Sequence, residues 1–402
     1  MTASVFTSVE LAPRDPILGL TDAFNSDPRA GKVNLGVGVY YNEQGRIPLL
    51  DCVRAAEQER LKAPSPRGYV PIEGPAAYAA RVQQLVLGAD SEAIRSGRCL
   101  TAEALGGTGA LRIGADLIKR LNPDTTVWIS EPSWENHRAL FEAAGFKVHS
   151  YPYYDPATHG LDFPRMLAGL GKAEPGTVVV LHACCHNPTG VDPDAGQWRQ
   201  IVECVRERKL VPFLDIAYQG FGESLEADAS VVRQVAAAGI DALVANSFSK
   251  SFSLYGERVG ALTVLTGSRD QSERVLSQLK RVIRTNYSNP PTHGAALVTA
   301  VLASAELRAQ WEKELGGMRE RIRSMRERLV EGLAQRRTGI DFSFVRRQRG
   351  MFSYSGLTQP QVDRLREQYA VYAVGTGRIC VAALNSGNID AVCDAIAAVV
   401  KS

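Results

Sequence analysis

The chain has 402 residues, 45% of them hydrophobic and 22% charged, with a formal net charge of +3. That length can bury a large core in two or more compact units, and the composition excludes a fibrous or disordered chain. The small, evenly spread charge leaves no basic block to follow a nucleic-acid backbone, and no apolar run is long enough to span a bilayer.

The N-terminus, MTASVFTSVELAPRDP, lacks the basic-then-apolar pattern of a secretory signal, so a cytoplasmic chain is expected. Seven cysteines, an odd number without a CxxC pair, predict reduced and mostly buried thiols, not a disulfide framework or a structural zinc site. Cys184, Cys185 and His186 are consecutive. As neighbouring strand residues they would face opposite sides, so no metal site is expected there.

Pro13, Pro16 and Pro28 surround an apolar stretch at 17–24, predicting an arm that leads into one helix, of the kind that often reaches another subunit. The β-rich run at 32–41, KVNLGVGVYY, carries Gly36 and Gly38. Glycine in a strand marks either a bulge or a close approach of backbone to ligand. Helical apolar spacing over 49–63 is ended by PSPRG at 64–68, which leaves Tyr69 in a turn-rich loop. Its ring could lie on the surface or its hydroxyl could meet a phosphate oxygen. In EALGGTGALR, 103–112, a Gly-Gly-Thr-Gly turn opens into a helix. Its free N–H groups and the helix dipole make a phosphate seat, although it has neither the lysine of a Walker loop nor the spacing of a dinucleotide fingerprint.

Apolar runs at 126–130, 177–182, 210–214 and 242–245 are separated by helical segments. Just past their ends come Trp134, then Asn187 in a proline turn, then Asp215 and Tyr218, then the stretch NSFSKSFSLYGERVG at 246–260. Parallel strands with helical crossovers would gather these groups on one edge, where open α/β sheets place their chemistry. Trp134 could stack on a planar cofactor ring or fill the core beneath a loop. Burial would raise the Asp215 carboxyl unless a cation faces it, and that cation could be a protonated pyridine nitrogen or a structural partner. Lys250 lies between Ser249 and Ser251, with Arg258 in the same loop. A second cation depresses the lysine while the serines and guanidinium seat a phosphate, a combination that points to a Schiff base with pyridoxal phosphate.

A basic helix over 271–283 runs into RTNYSNPP, 284–291, read as a rigid turn with Arg284 near its start. The long charged pattern at 306–337 predicts an amphipathic scaffold helix bridging two domains. Beyond it, 342–354, 361–369, 372–383 and 389–400 read as strand, helix, strand and helix, a small α/β unit. Arg378 begins an apolar strand there, where a bound carboxylate or a fixed acid must satisfy it.

With these residues in hand, the chain resembles the fold-type I pyridoxal-phosphate aminotransferases of the aspartate and aromatic amino-acid family. The likeness runs almost end to end. It is carried by DPILGL at 15–20, NLGVGVYYNE at 34–43, GGTGALR at 106–112, CCHNPTG at 184–190, DIAYQGF at 215–221, SFSKSFSLYGERVG at 247–260, NYSNPP at 286–291 and GMFSYSGL at 350–357.

The resemblance implies an α/β fold with a mostly parallel seven-stranded sheet. It implies an arm at 1–14, a large cofactor domain at 48–317, and a small domain from 15–47 with 318–402. Lys250 would hold the cofactor and act as the catalytic base, Asp215 would pair with the pyridine nitrogen, Tyr218 and Asn187 would hydrogen-bond the ring oxygen, and Trp134 would stack on the ring. Gly107, Thr108, Ser247, Ser249 and Arg258 would surround the phosphate. The family's homodimers share their active sites, so Tyr69 and Arg284 would reach across to the partner. Arg378 would bind the substrate α-carboxylate and Arg284 a distal carboxylate, with Gly38, Trp134 and Asn187 beside the substrate. Tyr41 and Ile47 resemble the bacterial aromatic branch; Thr108 and Asn289 resemble the aspartate branch. Transamination of tyrosine and phenylalanine with 2-oxoglutarate, with aspartate also accepted, is the favoured expectation. Aspartate transamination is the alternative, ahead of a β-lyase, a decarboxylase or a non-catalytic relative.

Overall fold

The computed structural model describes residues 4–12, 17–62, 64, 66 and 68–401. Pro13 and Pro16 of the expected arm, Ala63 at the expected helix end, and Ser65 and Arg67 of the loop before Tyr69 lie outside the described residues.

The main sheet has seven strands, in chain order β1 Cys99–Leu105, β2 Val127–Glu131, β3 Val148–Pro152, β4 Val178–His182, β5 Val211–Ile216, β6 Ala242–Ser247 and β7 Val259–Leu265. Across the sheet they lie in the order β1-β7-β6-β5-β4-β2-β3. Pairings within the block from β3 to β6 are parallel, and β7 runs antiparallel to both β6 and β1. β4, β6 and β7 are buried along their whole length, so their apolar runs are continuous and do not alternate with polar residues. The two-residue period of a strand then divides one run between two cores. Val178, Val180, Phe213 and Leu243 enter one, while Val179, Leu181, Leu214 and Val244 enter the other.

Five helices matter for the site: α1 Ala76–Leu87, α2 Gly106–Leu121, α3 Glu135–Ala143, α4 Arg269–Asn286 and α5 Ala305–Gln335. α2 starts at the residue after β1, and Gly106 makes the junction with φ +69°, a left-handed turn that suits glycine. α5 buries Trp311, Leu315, Met318, Ile322, Met325 and Leu329 along one stripe. The Trp311 Nε1–H donates to the Ser251 carbonyl at 2.7 Å and its ring stacks on Phe252 at 4.5 Å, which fastens this helix to the lysine loop.

The two chain ends are built together. Val33–Asn34 pairs in parallel with Val371–Tyr372, and Phe352–Tyr354 pairs antiparallel with Arg378–Cys380. The reading of 342–354 as one strand is corrected, because Ser343–Arg347 is a 3-10 helix and only Phe352–Tyr354 is extended. Strand also shrinks to Val33–Asn34 within 32–41, and to Val371–Tyr372 and Arg378–Cys380 within 372–383. β-rich composition reflects burial against neighbours more than backbone state, so apolar loops around a cavity read as strand. Among the described residues, no helix is long and apolar enough to cross a membrane.

Candidate active site

A cavity of about 610 Å³ opens at the carboxyl ends of the parallel strands. Of the residues expected at the site, Gly38, Gly107, Thr108, Trp134, Asn187, Asp215, Tyr218, Ser247, Ser249, Lys250, Arg258 and Arg378 all line it. Tyr69 and Arg284 do not. Tyr69 is 96% exposed, and Arg284 is on the surface with its guanidinium donating to the Ser288 hydroxyl. Arg284 is also placed differently from expectation: it belongs to the last turn of α4, not to the turn that follows.

Lys250 projects from the turn after β6, with its Nζ 4.8 Å from the Tyr218 ring centroid. Burial lowers the amine to about 8, with Arg258 adding to the effect and Asp215 opposing it. Asp215 is next to last on β5 and 5% exposed. Whether a cation faces it decides the direction of its shift, as the sequence reading expects. Burial is the largest effect and does push it up, but the hydrogen bond from His137 at 3.0 Å, with the charges of His137, His182 and Lys250, carries it below the usual carboxylate value. The Asp215 carboxylate is therefore ionised at neutral pH. Tyr218 is pushed the other way by burial, so its hydroxyl remains a neutral donor.

Beside the N-terminus of α2, the Ser247 hydroxyl donates to Ser249 Oγ at 3.2 Å, and Arg258 Nη1 reaches Ser249 Oγ at 3.4 Å. A Cβ on Gly106 would come within 2.4 Å of Arg258 Nη2, and one on Gly107 within 3.1 Å of the Ser247 Cβ. Bare backbone, two hydroxyls, a guanidinium and a helix N-terminus thus converge on one volume, a donor set that suits a phosphate dianion.

Across the cavity, Arg378 is 1% exposed. Its Nη1 donates to Asn187 Oδ1 at 3.0 Å and its Nη2 to the Gly36 carbonyl at 2.7 Å, while its Nε has no partner among the described residues. The guanidinium lies 4.4 Å from the Phe352 ring centroid, and Glu135 Oε1 is 3.9 Å from Nη1. A buried cation held by neutral acceptors, with one weak acidic neighbour, retains charge to offer an anion. Gly38 lies against Phe352: an added Cβ would fall 2.6 Å from Cζ, so the close approach is to a side chain of the C-terminal unit.

His137 and His182 were not among the expected residues. His137 Nδ1 is 3.0 Å from the Ser133 hydroxyl and its ring lies 4.9 Å from that of His182, which lines the cavity with an unpartnered Nε2. One signal was present in the sequence: His137 follows Trp134, the N-cap of α3, by three residues, and the two rings meet edge to face at 5.3 Å. The reason for dismissing Cys184 and Cys185 also changes. Both follow the end of β4, Cys185 takes φ +53°, and the two thiols lie with an Asp228 oxygen within 4.8 Å of one another. Asp228 is already accepting from the backbone N–H groups of Gly220, Gly222 and Glu223; contact with Cys185 and burial push the Cys184 thiol up, and the Cys185 thiol, lowered by that contact, is pushed up on balance by burial.

A parallel sheet with an amine, a carboxylate, an anion seat and a buried guanidinium at its strand ends defines a pyridoxal-phosphate type of centre. Residues 30–396 match the model of the class I and II aminotransferases, and the chain belongs to that family as a pyridoxal-phosphate-dependent aminotransferase. Similar chains carry two kinds of name. The solved aromatic-amino-acid aminotransferase of Burkholderia pseudomallei, covalently bound to pyridoxal phosphate, is 67% identical with a TM-score of 0.97 over 99% of this chain and 100% of its own. The aspartate aminotransferase of Pseudomonas aeruginosa is 62% identical over 98% of this chain and 99% of its own. The aromatic-amino-acid aminotransferase of Escherichia coli is 49% identical over 98% of this chain and 100% of its own.

Proposed function

We propose that the protein transfers amino groups from tyrosine and phenylalanine to 2-oxoglutarate, accepts aspartate as well, and works as a cytoplasmic homodimer with shared active sites. The observation that carries this reading is the unequal status of the two substrate arginines. Arg378 is buried and held at two nitrogens, whereas Arg284 is exposed and off this chain's cavity. One end of the substrate meets a fixed cation and the other an adjustable one, which suits a side chain that is either aromatic or acidic. The similarity to aromatic-amino-acid aminotransferases supports it, and the similarity to the aspartate enzyme supports the second activity.

Pyridoxal phosphate, when bound, supplies an electron sink for the bond broken at the substrate α-carbon. Gly107, Thr108, Ser247, Ser249 and Arg258 would receive its phosphate, Tyr218 and Asn187 its ring oxygen, and Trp134 its ring face. Asp215, kept ionised, would hold the ring nitrogen protonated. Arg378 orients the amino acid by its α-carboxylate. Lys250 Nζ, neutral in an appreciable fraction near pH 8, takes the proton from the α-carbon. Tyr69 and Arg284 would enter the partner's cavity, and 15–47 with 318–402 would form the smaller of two domains around it.

The test is kcat/KM for tyrosine, phenylalanine and aspartate with 2-oxoglutarate as acceptor. Higher values for the aromatics are expected, and a strong preference for aspartate would reassign the chain to the second group of relatives. Arg284→Leu should lower kcat/KM for aspartate by roughly 10²-fold or more, because it leaves a carboxylate unpaired, and that for phenylalanine by less than about threefold. Equal losses would remove Arg284 from the substrate site.

A further inference from the structure

Glu103 lies on β1 with no exposed surface, and neither carboxyl oxygen has a hydrogen-bond partner among the described residues. Backbone is packed directly on it. Gly74 has φ +86°, and a Cβ there would fall 2.6 Å from the Glu103 Cβ and 2.9 Å from Oε2. The Glu103 N–H donates to the Glu73 carbonyl at 2.9 Å, and the Tyr287 hydroxyl donates to the Glu103 carbonyl at 3.2 Å. Asn289 Nδ2 donates to the Val70 carbonyl at 3.1 Å. The segment that follows Tyr69 and the turn that follows Arg284 are therefore fastened to β1 at this residue and to each other.

Ionisable side chains on the three helices around it are engaged elsewhere. Tyr78 of α1 donates to the Gly260 carbonyl at 2.7 Å, Glu73 pairs with Lys280 of α4 at 2.6 Å, and Arg112 of α2 pairs with Asp116 at 2.9 Å. β7 offers no charged side chain. Burial raises the Glu103 carboxyl to about 8, with nothing opposing it. A neutral carboxyl in this place forgoes hydrogen bonds, whereas an ionised one would also forgo the solvation of its charge, a far larger cost.

We propose that Glu103 is a positioning residue for the reaction: its neutral carboxyl seats the two segments that present Tyr69 and Arg284, and ionising it unseats them. This rests on the reading that Arg284 receives the distal carboxylate of aspartate. The native state keeps a proton that the unfolded chain has lost, so stability falls as pH rises from the ordinary glutamate value towards about 8 and levels off above it.

The experiment compares the holoenzyme with its Glu103→Gln variant, which has the same shape and cannot ionise. The infrared difference spectrum should contain a protonated-carboxyl band at ~pH 6.5 that is lost by ~pH 9.5. Tm should decline with pH more steeply in the unsubstituted protein, the two curves running parallel above about pH 8. At ~pH 9 roughly nine-tenths of the carboxyls are ionised, so kcat/KM for aspartate relative to phenylalanine should fall up to about tenfold, and by less than about twofold in the variant. Taking the ratio cancels titration of Lys250, and comparing it with the ratio for the variant cancels titration of the substrate amino groups. Absence of the band at ~pH 6.5 overturns the neutral carboxyl. A band with an unchanged ratio overturns the seating while leaving Arg284 in its role. Failure of the Arg284 reading would be seen separately, in the Arg284→Leu kinetics. Should the variant not fold, the pH-dependent band and the substrate ratio of the unsubstituted enzyme decide.

Discussion

Lys250→Ala is expected to lower transamination with every substrate by at least ~10⁴-fold, because in the proposed mechanism one side chain would supply both the covalent tie to the cofactor and the catalytic base. No second lysine lines the cavity among the described residues. Its other cations are the guanidiniums of Arg258 and Arg378, which offer donors and no amine, and the Asp215 carboxylate is engaged by His137. The same burial that lowers the Lys250 amine to about 8 makes it both nucleophile and base. Borohydride reduction of the unsubstituted holoenzyme followed by peptide mass mapping should place the cofactor mass on Lys250. The variant should carry no reducible adduct and lose the visible absorbance of the lysine-bound cofactor. Lys250→Arg separates charge from proton transfer: it keeps the cation, and turnover should remain as low as with alanine. Normal rates in either variant, or a reducible adduct on another lysine, would remove Lys250 from its assigned role.

Much of this site was legible in the sequence because its residues come in short blocks tied to strand ends. Asp215 and the lysine loop follow runs whose continuous apolarity identifies buried parallel strands, and strand ends on one edge share a cavity by topology alone. The GGTGALR block was readable for a similar reason, since glycines opening a helix expose N–H groups whatever the surroundings. What escaped depends on contacts between distant segments. Nothing near His137 in sequence announces that its Nε2 meets Asp215, 78 positions away. The sign of the Asp215 shift depended on that same contact. Cys184 and Cys185 were misplaced because a two-residue period was applied past the end of β4, where the backbone turns. Glu103 looks like one more polar residue before a glycine turn; only the packing of Gly74 upon it makes it unusual.

Asp215→Asn is expected to lower kcat by about 10²–10³-fold, the loss that follows when a fixed charge aimed at the developing transition state is removed from a dry site. Asparagine fills the same space and can still meet His137, but it carries no negative charge with which to keep a pyridine nitrogen protonated. The loss should therefore appear in kcat far more than in KM, because Arg378, in its proposed role, would still hold the α-carboxylate. His137→Asn provides the contrast. It leaves the Asp215 charge in place and removes the imidazole that orients it, so a decrease of only about tenfold is expected. The carboxylate would also lose the bond that carries it below its ordinary value. Its ionisation would then move upward and the acid limb of the rate profile would shift to higher pH. If the two variants lost the same activity, with no change in the acid limb of His137→Asn, Asp215 would be only a strut for the histidine. If Asp215→Asn stayed within about threefold of the parent enzyme, its charge would have no part in the chemistry.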